Sequence, residues 1–167
     1  MKNNSSLEQE FSKSVQKSMG IIHKVSRMYC DNEEHCKDLF QEILIQLWKS
    51  FPSFRREAKF STWMYRVAIN VAIQDLRKTK KKQQLFFQTN QFKDTSEEKK
   101  SDVQNEKLKL MHYAIAKLNK VEKAIVMLHL EEKSNEEIAE IIGITQNYVR
   151  VKMNRIKTKL SKTVKNN

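Results

Sequence analysis

Apolar side chains recur along this chain at intervals of three and four, a spacing that gathers them on one face of an α-helix. Leu7, Phe11, Val15, Met19, Ile22, Val25 and Tyr29 form the first such series and predict one helix. After a polar turn at Asp31 and Asn32 come Leu39, Phe40, Ile43, Leu44, Leu47 and Trp48, with Asp38, Gln41, Glu42, Gln46 and Lys49 left for other faces. A second helix of about five turns follows. The run from Phe51 to Lys59 then breaks the period and contains the only proline, Pro52, whose fixed φ and missing N–H disfavour an unbroken helix. It reads as a basic loop. From Ser61, a predicted N-cap, Trp63, Met64, Val67, Ala68, Val71, Ala72 and Leu76 predict a third helix ending in the basic run from Arg77 to Lys82.

Residues 83–105 lose this period apart from the cluster Leu85, Phe86, Phe87 and the single Phe92. Four acids (Asp94, Glu97, Glu98, Asp102) stand there against three lysines, between two basic flanks. A flexible linker is expected, with domains over residues 7–82 and 106–163. Beyond it, Leu108, Met111, Ile115 and Leu118 mark a fourth helix. Asn119, followed by Glu122 three residues later, has the pattern of an N-cap for a fifth, with Ala124, Ile125 and Leu128 inside. Ser134 and Glu137 repeat that capping pattern and start a sixth helix near Asn135. The fold class expected is all-α: two small helical domains and a linker.

The strongest local signal follows. A short helix from Glu136 meets Gly143, and another starts at Thr145, the layout of a helix-turn-helix. Ala139 is small where two helices cross, Gly143 can take positive φ in the turn, and Ile138, Ile142, Ile144 and Val149 can fill the wedge between them. From Thr145 to Lys162 there are six basic residues and no acid: Arg150, Lys152, Arg155, Lys157, Lys159 and Lys162. Val149, Met153, Ile156 and Leu160 form the apolar stripe of this last helix. Gln146, Asn147, Tyr148, Arg150, Val151, Asn154 and Arg155 are thereby free to reach bases or phosphates in a major groove. The competing reading of the segment is a solvated basic face on a structural helix. For the run Lys80, Lys81, Lys82, solvation and DNA contact stand level.

Composition sharpens the partner class. A formal charge of +12 points to a polyanion, since each cation set beside a phosphate releases condensed counterions. Two Gly, one Pro and 31% charged residues suit long amphipathic helices. The first residues lack the apolar core of a signal peptide, and no stretch approaches the roughly 20 apolar residues of a membrane span, so a cytoplasmic protein without membrane insertion is expected. Cys30 and Cys36, with His35 between them and His23 upstream, lack the CxxC spacing of a zinc site. Reduced, partly buried thiols, no disulfide and no metal are expected. No glycine-rich phosphate loop, HExxH or metal-spaced acid cluster is present, and His23, His35, His112 and His129 are scattered. No catalytic site and no cofactor are expected.

The two halves together resemble the sigma factors of the extracytoplasmic-function group, which join conserved regions 2 and 4 of bacterial transcription initiation factors by a linker. The resemblance is carried by Asp38-Leu39-Phe40-Gln41-Glu42 with Leu47-Trp48, by the segment from Phe60 to Arg77, and by the helix-turn-helix. It implies that Asp38, Gln41 and Glu42, with Gln46 on the same helix, meet the clamp helices of bacterial core RNA polymerase. It implies that the loop with Phe54, Arg55, Arg56 and Lys59 captures a base flipped from the minus-10 element, while Asn70 and neighbouring basic residues such as Arg77 hold the opening strand. Flipping costs a few kcal/mol of stacking, which a preformed pocket must offset. It implies that Arg150, Val151, Asn154 and Arg155, flanked by Gln146 and Tyr148, face the minus-35 element of promoter DNA, with Lys152 nearer the backbone. Val151 and Asn154 differ from many relatives, and Asn119 stands where the family often has proline. The family also makes an anti-sigma factor, which in many members covers both domains, a candidate partner.

Two further readings stay in play. A conventional helix-turn-helix regulator would account for the C-terminal helix equally well, but it needs a ligand pocket, a phosphoacceptor or a dimerisation helix within residues 1–80. Trp48, Phe60 and Trp63 fall at core spacing and are read as packing, with base stacking as the alternative.

Overall fold

The computed structural model describes residues 2–87 and 103–165, with side chains over 5–78, at 106 and over 108–165. The described residues are helical, with no strand among them. They divide into two compact units, an N-terminal one reaching to Lys80 and a C-terminal one that holds α5, α6 and α8, whose ranges are given below. Most of the expected linker, residues 88–102, lies outside the described residues.

The N-terminal unit opens with α1 (Lys2–Gln16) and α2 (Met19–Tyr29), where the apolar period predicted a single helix. The interruption is local: the Ser18 N–H reaches back only three residues, to the Val15 carbonyl at 2.9 Å, and Ser18 leaves helical geometry at φ −122°, ψ 16°. A three-and-four spacing survives such a break because the stripe continues on the far side, and Val15, Ile22, Val25 and Tyr29 are all buried. Helix α3 (Glu33–Ser50) starts at Asn32, whose side chain accepts the His35 N–H, an interaction of about 1 kcal/mol. Leu39, Ile43 and Leu47 bury its inner face, and α3 packs on α2.

A 3-10 turn (Phe51–Ser53) with Pro52 inside it ends α3. The helix α4 (Phe60–Phe87) begins one residue before Ser61, the expected cap: the Trp63 N–H bonds to the Lys59 carbonyl at 3.1 Å. Ser61 is therefore already helical, and Lys59 occupies the capping position with its backbone alone. Met64, Ala68 and Ala72 are buried along α4, and the helix runs on past the lysine run.

Cys30 and Cys36 are joined as a disulfide, with 5.0 Å between their Cα atoms, where reduced thiols were expected. The cause is the tight turn. Cys30 caps the end of α2 and Cys36 sits in the opening turns of α3, so the chain reverses and sets two positions six apart in sequence side by side.

In the C-terminal unit, α5 (Val103–Ala116) buries Ala114 and Ile115 but leaves Leu108 and Met111 exposed. Helix α6 (Lys120–Leu130) has a complete capping box: Asn119 accepts the Val121 and Glu122 N–H groups, and Glu122 accepts the N–H of Asn119. Helix α7 (Asn135–Ile142) has a second one, between Ser134 and Glu137. Gly143 then takes φ 80°, ψ 39°, a left-handed conformation suited to glycine, and the N–H groups of Gly143 and Ile144 both close on the Ala139 carbonyl. Helix α8 (Gln146–Lys165) follows, with the Thr145 hydroxyl accepting the Tyr148 N–H at 3.2 Å, and packs on α5 and α6.

Candidate nucleic-acid and polymerase interfaces

The exposed side of α8 is set by what it buries. Val149, Met153 and Ile156 turn inward, and at 100° per residue the opposite side carries Asn147, Val151 and Asn154, with Arg150 and Arg155 flanking it. Gln146, Tyr148, Arg150, Val151, Asn154 and Arg155 are all exposed. Lys152 is only half-buried: its ammonium lies 3.9 Å from Glu122 Oε1 and 5.6 Å from the centre of the Tyr148 ring. Asn135, from the start of α7, joins Gln146, Asn147 and Arg150 around a shallow recess of about 210 Å³. Arg150 donates to Asn147 Oδ1 at 2.8 Å, so its guanidinium is already oriented. Asn135 is a lining residue that sequence reasoning missed, because its spacing from Gln146 has meaning only once the turn at Gly143 is formed.

In the N-terminal unit, Asp38, Gln41 and Glu42 are exposed along the outer side of α3. Gln46 is half-buried at the edge of that strip and donates to Glu42 at 3.3 Å. Ile45, 45% exposed, sits among them, and the periodicity gave no notice of it. Beside it, Phe11, Val15, Met19, Leu44 and Trp48 line an apolar groove between α1 and α3.

The loop between the 3-10 turn and α4 is built on aromatic rings. Phe54 and Trp63 lie 4.9 Å apart at their centres, Phe60 and Trp63 5.3 Å, and Phe51 and Phe60 6.2 Å in an edge-to-face arrangement. Phe60 and Trp63 are half-buried in this cluster, as is Trp48 against Phe11. The cluster props up a cleft of about 190 Å³ lined by Phe54, Arg55, Arg56, Thr62, Trp63 and Arg66 among others. Arg55, Arg56 and Lys59 are exposed on the loop. Arg56 takes φ 60°, unusual for a side chain with a Cβ, and pairs with Glu10. Arg66, Asn70 and Arg77 are exposed and recur at four and eleven residues, so they share one side of α4 that begins at the cleft. Arg66 was not among the expected contacts; its place on the Asn70 side of the helix was the signal available.

His35 is engaged with Asp75 at 2.6 Å and Cys30 with Cys36. Among the described residues, no group of three or more His, Cys, Asp or Glu is arranged to hold a metal ion, and no helix is long and apolar enough to cross a membrane.

A basic helix behind a glycine turn in one unit, and an aromatic-walled cleft lined by arginines in another, define an all-helical fold with two exposed cationic surfaces among the described residues. Comparison with known proteins gives the family. Residues 15–82 match Sigma-70 region 2 and residues 108–160 match Sigma-70, region 4. The chain belongs to the sigma-70 family, in its extracytoplasmic-function group, and is a promoter-directing transcription initiation factor. It is 28% identical over 138 residues to the RNA polymerase sigma factor SigV of Bacillus subtilis, covering 80% of this chain and 78% of SigV. With the ECF RNA polymerase sigma factor SigW of the same organism it shares 27% over 155 residues, 86% and 83% of the two chains. In fold it is similar to the sigma factor RpoE solved with the anti-sigma factor NepR from Bartonella quintana, at a TM-score of 0.72 and 17% identity, covering 94% of this chain and 98% of that one. CnrH, solved with the cytosolic domain of CnrY, gives 0.68 and 17%, covering 96% and 90%.

Proposed function

We propose a division of labour between the units. The N-terminal one, region 2 over residues 7–82, docks on core RNA polymerase through Asp38, Gln41, Glu42 and Gln46 with Ile45 among them. Its cleft takes a base flipped from the minus-10 element against Phe54 and the loop cations Arg55, Arg56 and Lys59, while Asn70 and Arg77 hold the strand as it opens. The C-terminal one, region 4 over 106–163, reads the minus-35 element through Gln146, Tyr148, Arg150, Val151, Asn154 and Arg155, with Lys152 toward the backbone. Residues 83–105 link them.

The observation that carries this reading is the continuity of the aromatic-walled cleft with the Arg66, Asn70, Arg77 side of α4. A duplex-binding regulator has no use for an aromatic-walled cleft lined by arginines in a second unit, whereas a factor that melts DNA needs somewhere to hold the unpaired base and a cationic strip for its strand. In this scheme the chain supplies binding and positioning in the cytoplasm, and bond formation belongs to the polymerase. RpoE was solved with the anti-sigma factor NepR, which supports an anti-sigma factor as the further partner here.

The test is run-off transcription with core polymerase, the purified chain and a pool of randomised promoter DNA, followed by sequencing of the transcripts. Initiation that depends on the chain and enriches two spaced elements is the expected result. DNA binding without polymerase-dependent initiation would instead make it a conventional helix-turn-helix regulator.

A further inference from the structure

Glu122 is a charged residue in the core of the C-terminal unit, 2% exposed. One carboxylate oxygen accepts the Asn119 N–H at 3.2 Å and completes the cap of α6. The other accepts the Lys159 ammonium at 2.6 Å, and the Lys152 ammonium lies 3.9 Å from the same atom. A carboxylate taken out of water is held at heavy cost unless cations and donors surround it, and all of those here come from the cap and from α8. Lys152 and Lys159 are seven residues apart, two turns along one side of α8, next to the buried stripe of Val149 and Ile156. Apolar contact is non-directional and leaves a helix some freedom to roll and slide. A hydrogen-bonded lysine and a second cation converging on one buried oxygen add a directional restraint.

We infer that Glu122 is a positioning residue for promoter reading, whose buried carboxylate holds Lys152 and Lys159 and so fixes the roll of α8 and the side chains it presents to DNA. The inference rests on the reading of α8 as the promoter-reading helix. It also assigns charge: Glu122 partly cancels two of the cations on α8, leaving Arg150 and Arg155 to act with uncancelled charge beside Val151 and Asn154. On this view Lys152 serves the clamp before it serves the DNA backbone.

Glu122→Gln isolates the clamp, because a glutamine carbonyl still accepts the Asn119 N–H while offering no charge to the lysines. The experiment measures promoter binding by holoenzyme carrying the full chain. It uses a recovered promoter with its upstream element intact or scrambled, over a range of salt concentrations, with circular dichroism on the same preparations to establish folding. Glu122→Gln is expected to reduce the preference for the intact element by about tenfold, the scale of one lost charged hydrogen bond. The dependence of log affinity on log salt is expected to steepen by about one unit as a released lysine reaches a phosphate. Lys152→Met in the Glu122→Gln background, which removes the released lysine nearer the DNA backbone, should return the salt dependence toward wild type. A Glu122→Gln protein that melts earlier yet keeps wild-type preference and salt dependence reduces Glu122 to a structural cap and overturns the inference. If wild-type holoenzyme itself fails to distinguish the two promoters, the reading of α8 falls, and this inference with it.

Discussion

His35 Nε2 stands 2.6 Å from Asp75 Oδ2 and ties the first turn of α3 to α4. The tautomer follows from the other nitrogen. His35 Nδ1 accepts the Asp31 N–H at 3.2 Å, so the proton sits on Nε2 and is donated to Asp75. The polymerase-docking strip and the strand-holding strip are on these two helices, so the bond sets one proposed surface relative to the other within a single unit. Asp75→Ala should lower the stability of this unit by about 1 to 2 kcal/mol, while Asp75→Asn, whose carbonyl still accepts, should cost less than half of that. Urea unfolding followed by tryptophan fluorescence reads it cleanly, because both tryptophans, Trp48 and Trp63, are in the N-terminal unit. An equal loss in both variants would mean that the charge of Asp75, not its hydrogen bond, holds the helices.

Glu122 predicts an acid limit for the other unit. Burial pushes its pKa up, but the hydrogen bond from Lys159, the Asn119 N–H and the charges of Lys159 and Lys152 outweigh that and leave it below the ordinary carboxylate range. The unfolded chain therefore takes up the proton first as pH falls. The stabilisation is fully present above the ordinary value of about 4.5 and is lost as pH drops through the lowered folded value. The stability difference between wild type and Glu122→Gln, from urea melts monitored by circular dichroism, should be constant near neutrality and shrink below about pH 4.5. A difference that grows on acidification would reverse the assigned direction.

What the sequence revealed in advance was local chemistry. Asn119 with Glu122 and Ser134 with Glu137 were legible as caps because the donors they satisfy lie within three residues, and Gly143 was legible because few residues other than glycine take a left-handed turn cheaply. The break at Ser18 was not, since the apolar stripe keeps its period across it. Ser61 was mistaken for a cap because a good capping residue one step inside a helix looks the same in sequence as one at its end. The disulfide and the clamp of Glu122 on Lys152 and Lys159 depend on how far chain reversals bring distant positions together, which no local pattern encodes. In the candidate sites, the exposed residues of α8 followed from its stripe, and Arg66 could have been read from its four-residue spacing to Asn70, while Ile45 and Asn135 emerged only from the assembled surfaces.

The Cys30–Cys36 bond closes a short loop across the α2–α3 turn. Cross-linking so few residues removes little freedom from the unfolded chain, so its contribution is at the small end of the usual range, about 2 kcal/mol. Reduction with dithiothreitol, or Cys36→Ser, should lower the stability of the N-terminal unit by about that amount, with Asn32 and His35 still holding the start of α3. Tryptophan-monitored unfolding with and without reductant checks this. Identical midpoints in the two conditions would rule out a stabilising bond.

The two proposed DNA surfaces should separate by step. Arg150→Ala or Arg155→Ala should weaken binding at the upstream element by about 1 to 3 kcal/mol if each makes a good base contact. Asn147→Ala should give a smaller version of the Arg150 effect to the extent that Asn147 acts by orienting that guanidinium. Asn70→Ala should leave duplex binding unchanged and slow strand opening, which permanganate reactivity of unpaired thymines follows directly. An Asn70 variant that opens DNA at the wild-type rate would remove that residue from the melting surface.

Gly143 tests whether the helix-turn-helix is limited by space or by backbone. Its φ of 80° lies in the left-handed region, yet a Cβ built there would meet nothing within 4 Å. The cost of Gly143→Ala is therefore the conformational penalty alone, about 1 kcal/mol. Gly143→Asn, a residue that enters this region more readily, should cost about half as much, and Gly143→Val more than either, since β-branching crowds its own backbone. Unfolding of the C-terminal unit by circular dichroism gives the order. Ala costing several times that amount, with Asn no better, would mean that the side chain is refused by its surroundings. In that case the turn would have to be more tightly enclosed than the open space around Gly143 allows.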